Sequence, residues 1–191
     1  MKILLIRHGE STGDIENRYG GTYDDHLTDK GKSDAAITAE KLISKQIEAI
    51  YCSPKIRAKE AAQIINSKLN LPFNVIEGLE ERDYGILNGI DKDEAKQKYP
   101  EIVEQHKNIY NTDPEGESYE DFKKRILTTL TNIIGNNNYK TIAIITHGGP
   151  IKLIYRVLFQ TGELENVGDY GILELEKDKV YKFISLTKLH N

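Results

Sequence analysis

Two apolar runs in this chain each break off into a histidine and a glycine. Ile3-Leu4-Leu5-Ile6 leads into Arg7-His8-Gly9-Glu10, and Thr141-Ile142-Ala143-Ile144-Ile145 leads into Thr146-His147-Gly148-Gly149-Pro150. These residue types suit chemistry on a phosphate ester. Two guanidiniums, Arg7 and Arg57, can hold phosphoryl oxygens bidentately. The amides after His147, at a helix N-terminus, add donors to the same anion. A neutral imidazole nitrogen can attack phosphorus and form a phosphohistidine, provided its other nitrogen keeps the proton, a tautomer that a backbone carbonyl can fix. Preorganised donors around the equatorial oxygens lower the transition state. The leaving alkoxide then takes a proton from a carboxylic acid, a task that a raised pKa suits and that neighbouring carboxylates favour. Glu80, Glu81 and Asp83 lie close together after a third apolar run. The same carboxylate can next activate water. No metal is needed, and no cofactor is expected.

The elements that must position these groups follow from patterning. Ile3–Ile6, Ala49–Cys52, Phe73–Ile76 and Thr141–Ile145 read as short buried strands. Between them, Thr28 caps a helix with Ala35, Ala36, Ala39, Leu42 and Ile43 on one face, ending near Lys45. Ser53-Pro54 reads as the N-cap and first position of a second helix with Ala58, Ala61, Ala62, Ile65 and Leu69 inward. Side chains in a helix lean towards its N-terminus, so Arg57 should reach the strand-end edge from which His8 and His147 emerge. Gly9–Leu27 reads as a long polar loop, and Glu77–Gly85 as a second loop. Asp91–Tyr110 is helical in character, interrupted at Pro100, and is expected to pass over the site. Ser118 with Asp121 opens a helix through Phe122, Ile126, Leu127, Leu130, Ile133 and Ile134, and Gly149-Pro150 opens another through Leu153, Ile154, Val157 and Leu158. Tyr170–Leu175 and Val180–Leu186 form a closing antiparallel hairpin. The alternation predicts an α/β fold, a three-layer α/β/α sandwich around a mainly parallel sheet. It covers residues 1–191 as one domain, with a cap-like excursion at about 82–114. In such sheets ligands bind beyond the carboxyl ends of the strands.

Composition sets the limits. Net charge is −4, so no basic field invites nucleic acid, and an anion site must be a local positive pocket on an acidic body. The single cysteine, Cys52, cannot form an internal disulfide and reads as a buried small residue. Arg7, His8, Glu10 and Asp14 cut the first apolar run too early for a signal peptide, and no segment approaches the ~20 apolar residues of a membrane span. A cytoplasmic location is expected, with no membrane partner. Oligomeric state stays open, with the closing hairpin available to pair subunits in a homodimer.

The arrangement resembles the histidine phosphatase superfamily, or phosphoglycerate mutase-like family, over nearly the whole chain. Arg7-His8-Gly9-Glu10-Ser11 matches its signature, which implies His8 as the phosphorylated nucleophile and Arg7 as a phosphate ligand. Leu27-Thr28-Asp29-Lys30-Gly31 matches its first helix start. Ser53-Pro54-Lys55-Ile56-Arg57-Ala58 makes Arg57 the second phosphate arginine. Glu81-Arg82-Asp83-Tyr84-Gly85 makes Glu81 the proton donor, Gly116-Glu117-Ser118 matches a further helix start, and Thr146-His147-Gly148-Gly149 supplies the second histidine. Ser11, Asp14, Gly20, Gly21, Tyr84 and Gly148 are candidate substrate contacts. The family often carries Asn where this chain has Asp14; facing the pocket, Asp14 would oppose a dianion, and turned away it would leave that place to Asn17. It often has Thr where this chain has Ala61.

The resemblance implies a phosphomonoesterase, of the histidine acid phosphatase type, acting on a small phosphorylated metabolite such as a sugar phosphate, a phosphoglycerate or α-ribazole phosphate. Cofactor-dependent mutases share the core but are usually longer around Leu87–Pro114 and place Gly-Asn after the second histidine, so the phosphatase branch is favoured. A non-catalytic phospho-ligand module is the third reading, and retention of His8 and Glu81 speaks against it. A metal site of His8, His147 and Glu81 is opposed by two arginines that would repel the cation. Structural roles are expected for His26, His106 and His190, with His106 also placed where a substrate lid would be.

Overall fold

The computed structural model describes residues 1–160, 162–164 and 166–188. His190 lies outside them. Strand β1 (Lys2–Arg7) pairs in parallel with β4 (Thr141–Thr146), and β4 with β2 (Ala49–Cys52), which carries the short edge strand β3 (Phe73–Val75). On the other side β5 (Ile172–Lys177) runs antiparallel to β1 and pairs with β6 (Tyr181–Thr187), giving the order β3-β2-β4-β1-β5-β6. The hairpin thus extends the main sheet.

The central strands are covered on both faces, which is why their apolar runs are unbroken. Ile3, Leu5, Ile142 and Ile144 face helices α6 (Tyr119–Gly135) and α7 (Gly148–Phe159), packing with Phe122, Ile126, Leu130, Leu153 and Ile154. Leu4, Ile6, Ala143 and Ile145 face helices α2 (Asp29–Leu42) and α3 (Ile56–Leu69), whose Ala35, Ala39, Ala58, Ala61 and Ala62 let them pack closely. This is a three-layer α/β/α sandwich. Cys52 is fully buried, and burial pushes its thiol up to about 12. Among the described residues no helix is long and apolar enough to cross a membrane.

Three local expectations change. The stretch Gly9–Leu27 contains a short helix, α1 (Thr12–Ile15), because the Asp14 carboxylate accepts from both the amide and the hydroxyl of Ser11 at its start. Ser53-Pro54 precedes α3 without capping it. The Ile56 amide donates instead to Asp24 Oδ1 at 2.8 Å, and the Ser53 hydroxyl is engaged with His147. α2 also stops at Leu42 and tightens into a 3-10 turn over Ile43–Lys45.

The excursion carries a 3-10 turn (Gly85–Leu87), α4 (Lys92–Lys98) and α5 (Pro100–His106). Pro100 opens α5, where its missing N–H costs nothing. Leu87, Ala95 and Val103 form a small apolar cluster of its own with Tyr19 and Tyr84 at its border. Arg82 ties the base down by donating to the carbonyls of Ile109, Asn111 and Glu117.

Ile144 is fully buried at the centre of this framework. Ile144→Ala should destabilise the protein by about 2–5 kcal/mol through lost burial and a residual cavity, read as a lower urea midpoint at unchanged slope.

Candidate active site

The β1–β4 register sets Arg7 opposite Thr146, so the next residues of both strands, His8 and His147, emerge side by side. The His8 amide donates to the Thr146 carbonyl at 3.0 Å, and the Ser53 amide to the Ile145 carbonyl at 3.0 Å, which brings the end of β2 to the same level. The two imidazoles meet edge to face, 5.0 Å between centroids. His8 Nδ1 lies 2.8 Å from the Gly9 carbonyl. A carbonyl only accepts, so Nδ1 carries the hydrogen and Nε2 keeps its lone pair. Arg57 Nε donates to that Nε2 at 3.1 Å. Burial, then the charges of Arg57 and Arg7, hold the His8 pKa well below its ordinary value against the opposing Gly9 bond. His147 is lowered likewise, by burial first and then by Arg57. Gly9 is required by its surroundings: a Cβ there would stand 2.2 Å from the Tyr170 ring.

Arg57 reaches this edge from the first turn of α3, 3% exposed. Its guanidinium donates to Asp25 Oδ1 and the Tyr23 carbonyl, each at 2.6 Å, and to the Gly21 carbonyl at 3.0 Å. Asp25 is itself buried and accepts from the Gly13 amide at 2.9 Å. Arg7 lies 3.1 Å from Asp169 and 3.9 Å from Asp14. Burial raises the Asp169 carboxyl, against the lowering pull of Arg7.

The acidic loop separates into distinct places. Glu81 lines the cleft; its Oε2 accepts from the Gly149 amide at 2.9 Å and its Oε1 from the Arg82 amide at 2.8 Å. A Cβ on Gly149 would lie 1.9 Å from Glu81 Oε1, so the second glycine after His147 makes room for this carboxylate. Glu80 turns to Arg125, and Asp83 is used by the Gly85 amide and Asn88. Of the three acidic candidates only Glu81 borders the cleft.

That cleft, about 570 Å³, is bounded by Arg7, His8, Ser11, Asp14, Gly20, Gly21, Arg57, Glu81, Tyr84 and Gly148 of the sequence-derived set. His147 does not line it. It is 1% exposed, with Nε2 2.8 Å from the Ser53 hydroxyl and Nδ1 unpartnered. Asp14 borders the cleft, whereas Asn17 turns out to Asp93. Across the whole wall seven cationic side chains stand against three carboxylates, on a protein of net charge −4. Among the described residues no three His, Cys, Asp or Glu side chains converge as a metal-ligand set.

The sequence matches the histidine phosphatase superfamily (branch 1) over residues 3–175. The chain belongs to this family. It is 32% identical over 149 residues to a protein named uncharacterized phosphatase PhoE of Bacillus subtilis, covering 78% of this chain and 72% of that one. It is 34% identical over 166 residues to a 2,3-bisphosphoglycerate-dependent phosphoglycerate mutase of Bartonella bacilliformis, covering 82% and 80%. YhfR of Bacillus stearothermophilus superposes with a TM-score of 0.89 at 26% identity, over 95% of this chain and 94% of that one. The family fold and the six-stranded sheet agree, and both phosphatases and mutases are among the relatives.

Several residues at this family site escape sequence reasoning. Asp25 and Asp169 position the two arginines, and Ser53 holds His147. Asp24-Asp25 in a glycine-rich loop was the available signal; for Asp169 there was none, because its partner is 162 residues away. His106, expected to be structural, borders the cleft. Its Nδ1 lies 2.7 Å from Asp113 Oδ2, and Tyr84 and Tyr19 meet its ring edge to face at 4.6 and 5.1 Å. Folding of the cap brings these distant residues together. His26 sits outside, against Glu60. Gly21 serves Arg57 through its carbonyl and lines the cleft as well.

Asp25→Ala should leave the Arg57 guanidinium buried without its counter-charge and cost about 3–5 kcal/mol, measured by urea unfolding. Stability should also fall with acid in a defined window. The unfolded chain takes protons on its histidines near pH 6.5, while native His8 and His147 resist them. Their contribution is therefore present above about pH 6.5 and is lost as the pH drops below it; unfolding midpoints between pH 8 and 5 check this.

Proposed function

We propose that this protein is a phosphomonoesterase working through a phosphohistidine on His8. The observation that carries the reading is the presentation of His8: a neutral ring, Nδ1–H locked by Gly9, with Nε2 accepting from Arg57 Nε in a cationic cleft that Arg7 also borders. The two guanidiniums supply the positive charge that a phosphoryl group needs. Phosphoryl oxygens draw Arg57 Nε from the imidazole, and Nε2 bonds to phosphorus as the ester P–O bond breaks. The alkoxide takes the proton of the Glu81 carboxyl. The Glu81 carboxylate then accepts a proton from water as that water attacks phosphorus, releasing inorganic phosphate and neutral His8. His147, which does not line the cleft, packs edge to face against His8 and supports the orientation of its ring.

Gly149 supports the phosphatase reading physically. Its lack of a side chain seats Glu81 against the start of α7, where a carboxyl can alternate between ester oxygen and water. The substrate is a small phosphorylated metabolite, as the cleft volume suits. A mutase-named relative at 34% identity supports isomerisation as the second reading.

Phosphate release from a panel of phosphomonoesters with EDTA present, beside 3-phosphoglycerate isomerisation with 2,3-bisphosphoglycerate, tests the two. Release without isomerisation is expected, and isomerisation exceeding release would overturn the phosphatase reading. His8→Ala should abolish turnover in a folded protein. Glu81→Gln should slow an alkyl phosphate by about 10²-fold or more while a nitrophenyl ester, whose leaving group needs little protonation, loses far less. Equal losses would remove Glu81 from the acid role.

A further inference from the structure

The loop that carries Glu81 has little packed behind it. Glu81 lines the cleft on one side and, on the other, a second recess of about 490 Å³ that Gly78, Glu80, Glu117 and Arg125 also line. Of Gly78, Leu79, Glu80 and Glu81, Leu79 alone is seated in the apolar core. Apolar packing therefore fixes one point of this loop, and its polar contacts must fix the rest.

Those contacts are concentrated on one guanidinium. All four carbonyls from Gly78 to Glu81 accept hydrogen bonds. The hydroxyl of Thr146, the residue before His147, donates to the Leu79 carbonyl at 2.6 Å. Arg125 of α6 serves the other three: its Nη1 donates to the Gly78 and Glu80 carbonyls at 3.2 and 3.1 Å, and its Nη2 to the Glu81 carbonyl at 3.3 Å. The guanidinium is itself aimed by Glu117. Nε and Nη2 donate to its Oε1 and Oε2 at 2.8 and 2.6 Å, a bidentate pair. The Glu117 backbone is tied to the other end of the same loop. Its amide donates to the Asp83 carbonyl at 2.9 Å, and its carbonyl accepts from Arg82 Nε at 2.9 Å. Neither Arg125 nor Glu117 lines the cleft, so the pair works on the loop and not on a ligand.

We infer that Arg125, oriented by Glu117, is a positioning residue for proton transfer: it holds the Glu81 carboxyl where it can reach the ester oxygen, without touching substrate. The inference rests on the phosphomonoesterase reading above and deepens its acid step. Proton transfer to a leaving group needs hydrogen-bond reach, and a misplacement of about 1 Å can cost such a step about 10²-fold. A lysine at this position keeps the charge but has no planar fork to hold a carboxylate bidentately while serving three carbonyls.

Single-turnover release of the alcohol tests the role, with an alkyl phosphate and nitrophenyl phosphate compared. Arg125→Lys and Glu117→Gln should each slow the alkyl ester by about tenfold or more and the nitrophenyl ester far less, because only the alkoxide needs the proton. Dissociation constants for inorganic phosphate, which read Arg7, Arg57 and His8, should not change. A merely structural role would lower both esters together through loss of folded protein. In a Glu81→Gln background, Arg125→Lys should have little further effect on the alkyl ester, since residues that act through one group are not additive. Urea unfolding identifies the folded variants; should Arg125→Lys not fold, Glu117→Gln, which keeps an acceptor for the guanidinium, carries the same comparisons. Equal losses for the two esters, or an undiminished effect in the Glu81→Gln background, would overturn the positioning role while leaving the phosphomonoesterase reading intact. Failure of the wild type to release alcohol from any ester would overturn that reading and the role with it.

Discussion

The site depends on holding two guanidiniums beside a neutral imidazole before any anion arrives. Arg57, buried and in contact with His8, would be repelled by Arg7 and penalised by desolvation if nothing compensated it. Asp25 supplies the opposite charge, and the carbonyls of Gly21 and Tyr23 take up further donors. Asp169 does the same for Arg7 from the other side. The short helix α1 and the loop to Leu27 are thereby the scaffold of the cationic centre as well as its border. Burial first, and then the same cations, hold the His8 pKa well below its ordinary value, so the imidazole beside the two arginines is kept unprotonated.

Glycines at the strand ends are part of this economy of space. Gly9 yields to the Tyr170 ring, whose hydroxyl donates to the Gly31 carbonyl at 2.7 Å and so links the turn after His8 to the start of α2. Gly149 yields to Glu81. Each glycine of the two His-Gly elements that meets such a close approach lets a functional side chain and a packed one share a turn. His147 stands within this arrangement as a buried imidazole with one satisfied nitrogen and one unpartnered, a local cost of its burial.

The excursion after Arg82 adds an aromatic border to the cleft. Tyr19, Tyr84 and His106 pack edge to face over the cleft, with the imidazole tethered to Asp113. Lys152 and Arg156 of α7 line the same cleft. Aromatic and cationic side chains thus share the wall of one cleft with His8, Arg7 and Arg57.

Much of the design was legible in the chain itself. Unbroken apolar runs marked the doubly covered strands, because a strand buried on both faces has no polar side to display. Histidine, arginine and glycine at their ends marked the edge that carries the cleft, and the spacing of Arg57 within a helix start placed it there. Ser53 was misread as a cap because local propensity cannot see that Asp24 reaches the Ile56 amide from another loop. Glu81 could not be separated from Glu80 by sequence, since both are equally acidic and adjacent; only the packing of α6 and α7 turns one to Arg125 and the other to Gly149. Asp25, Asp169 and His106 likewise acquire their places from contacts between segments far apart in the chain. Local sequence determined the elements and the residue types at their ends, whereas long-range packing decided which charges meet, because pairing in three dimensions carries no period or motif along the chain.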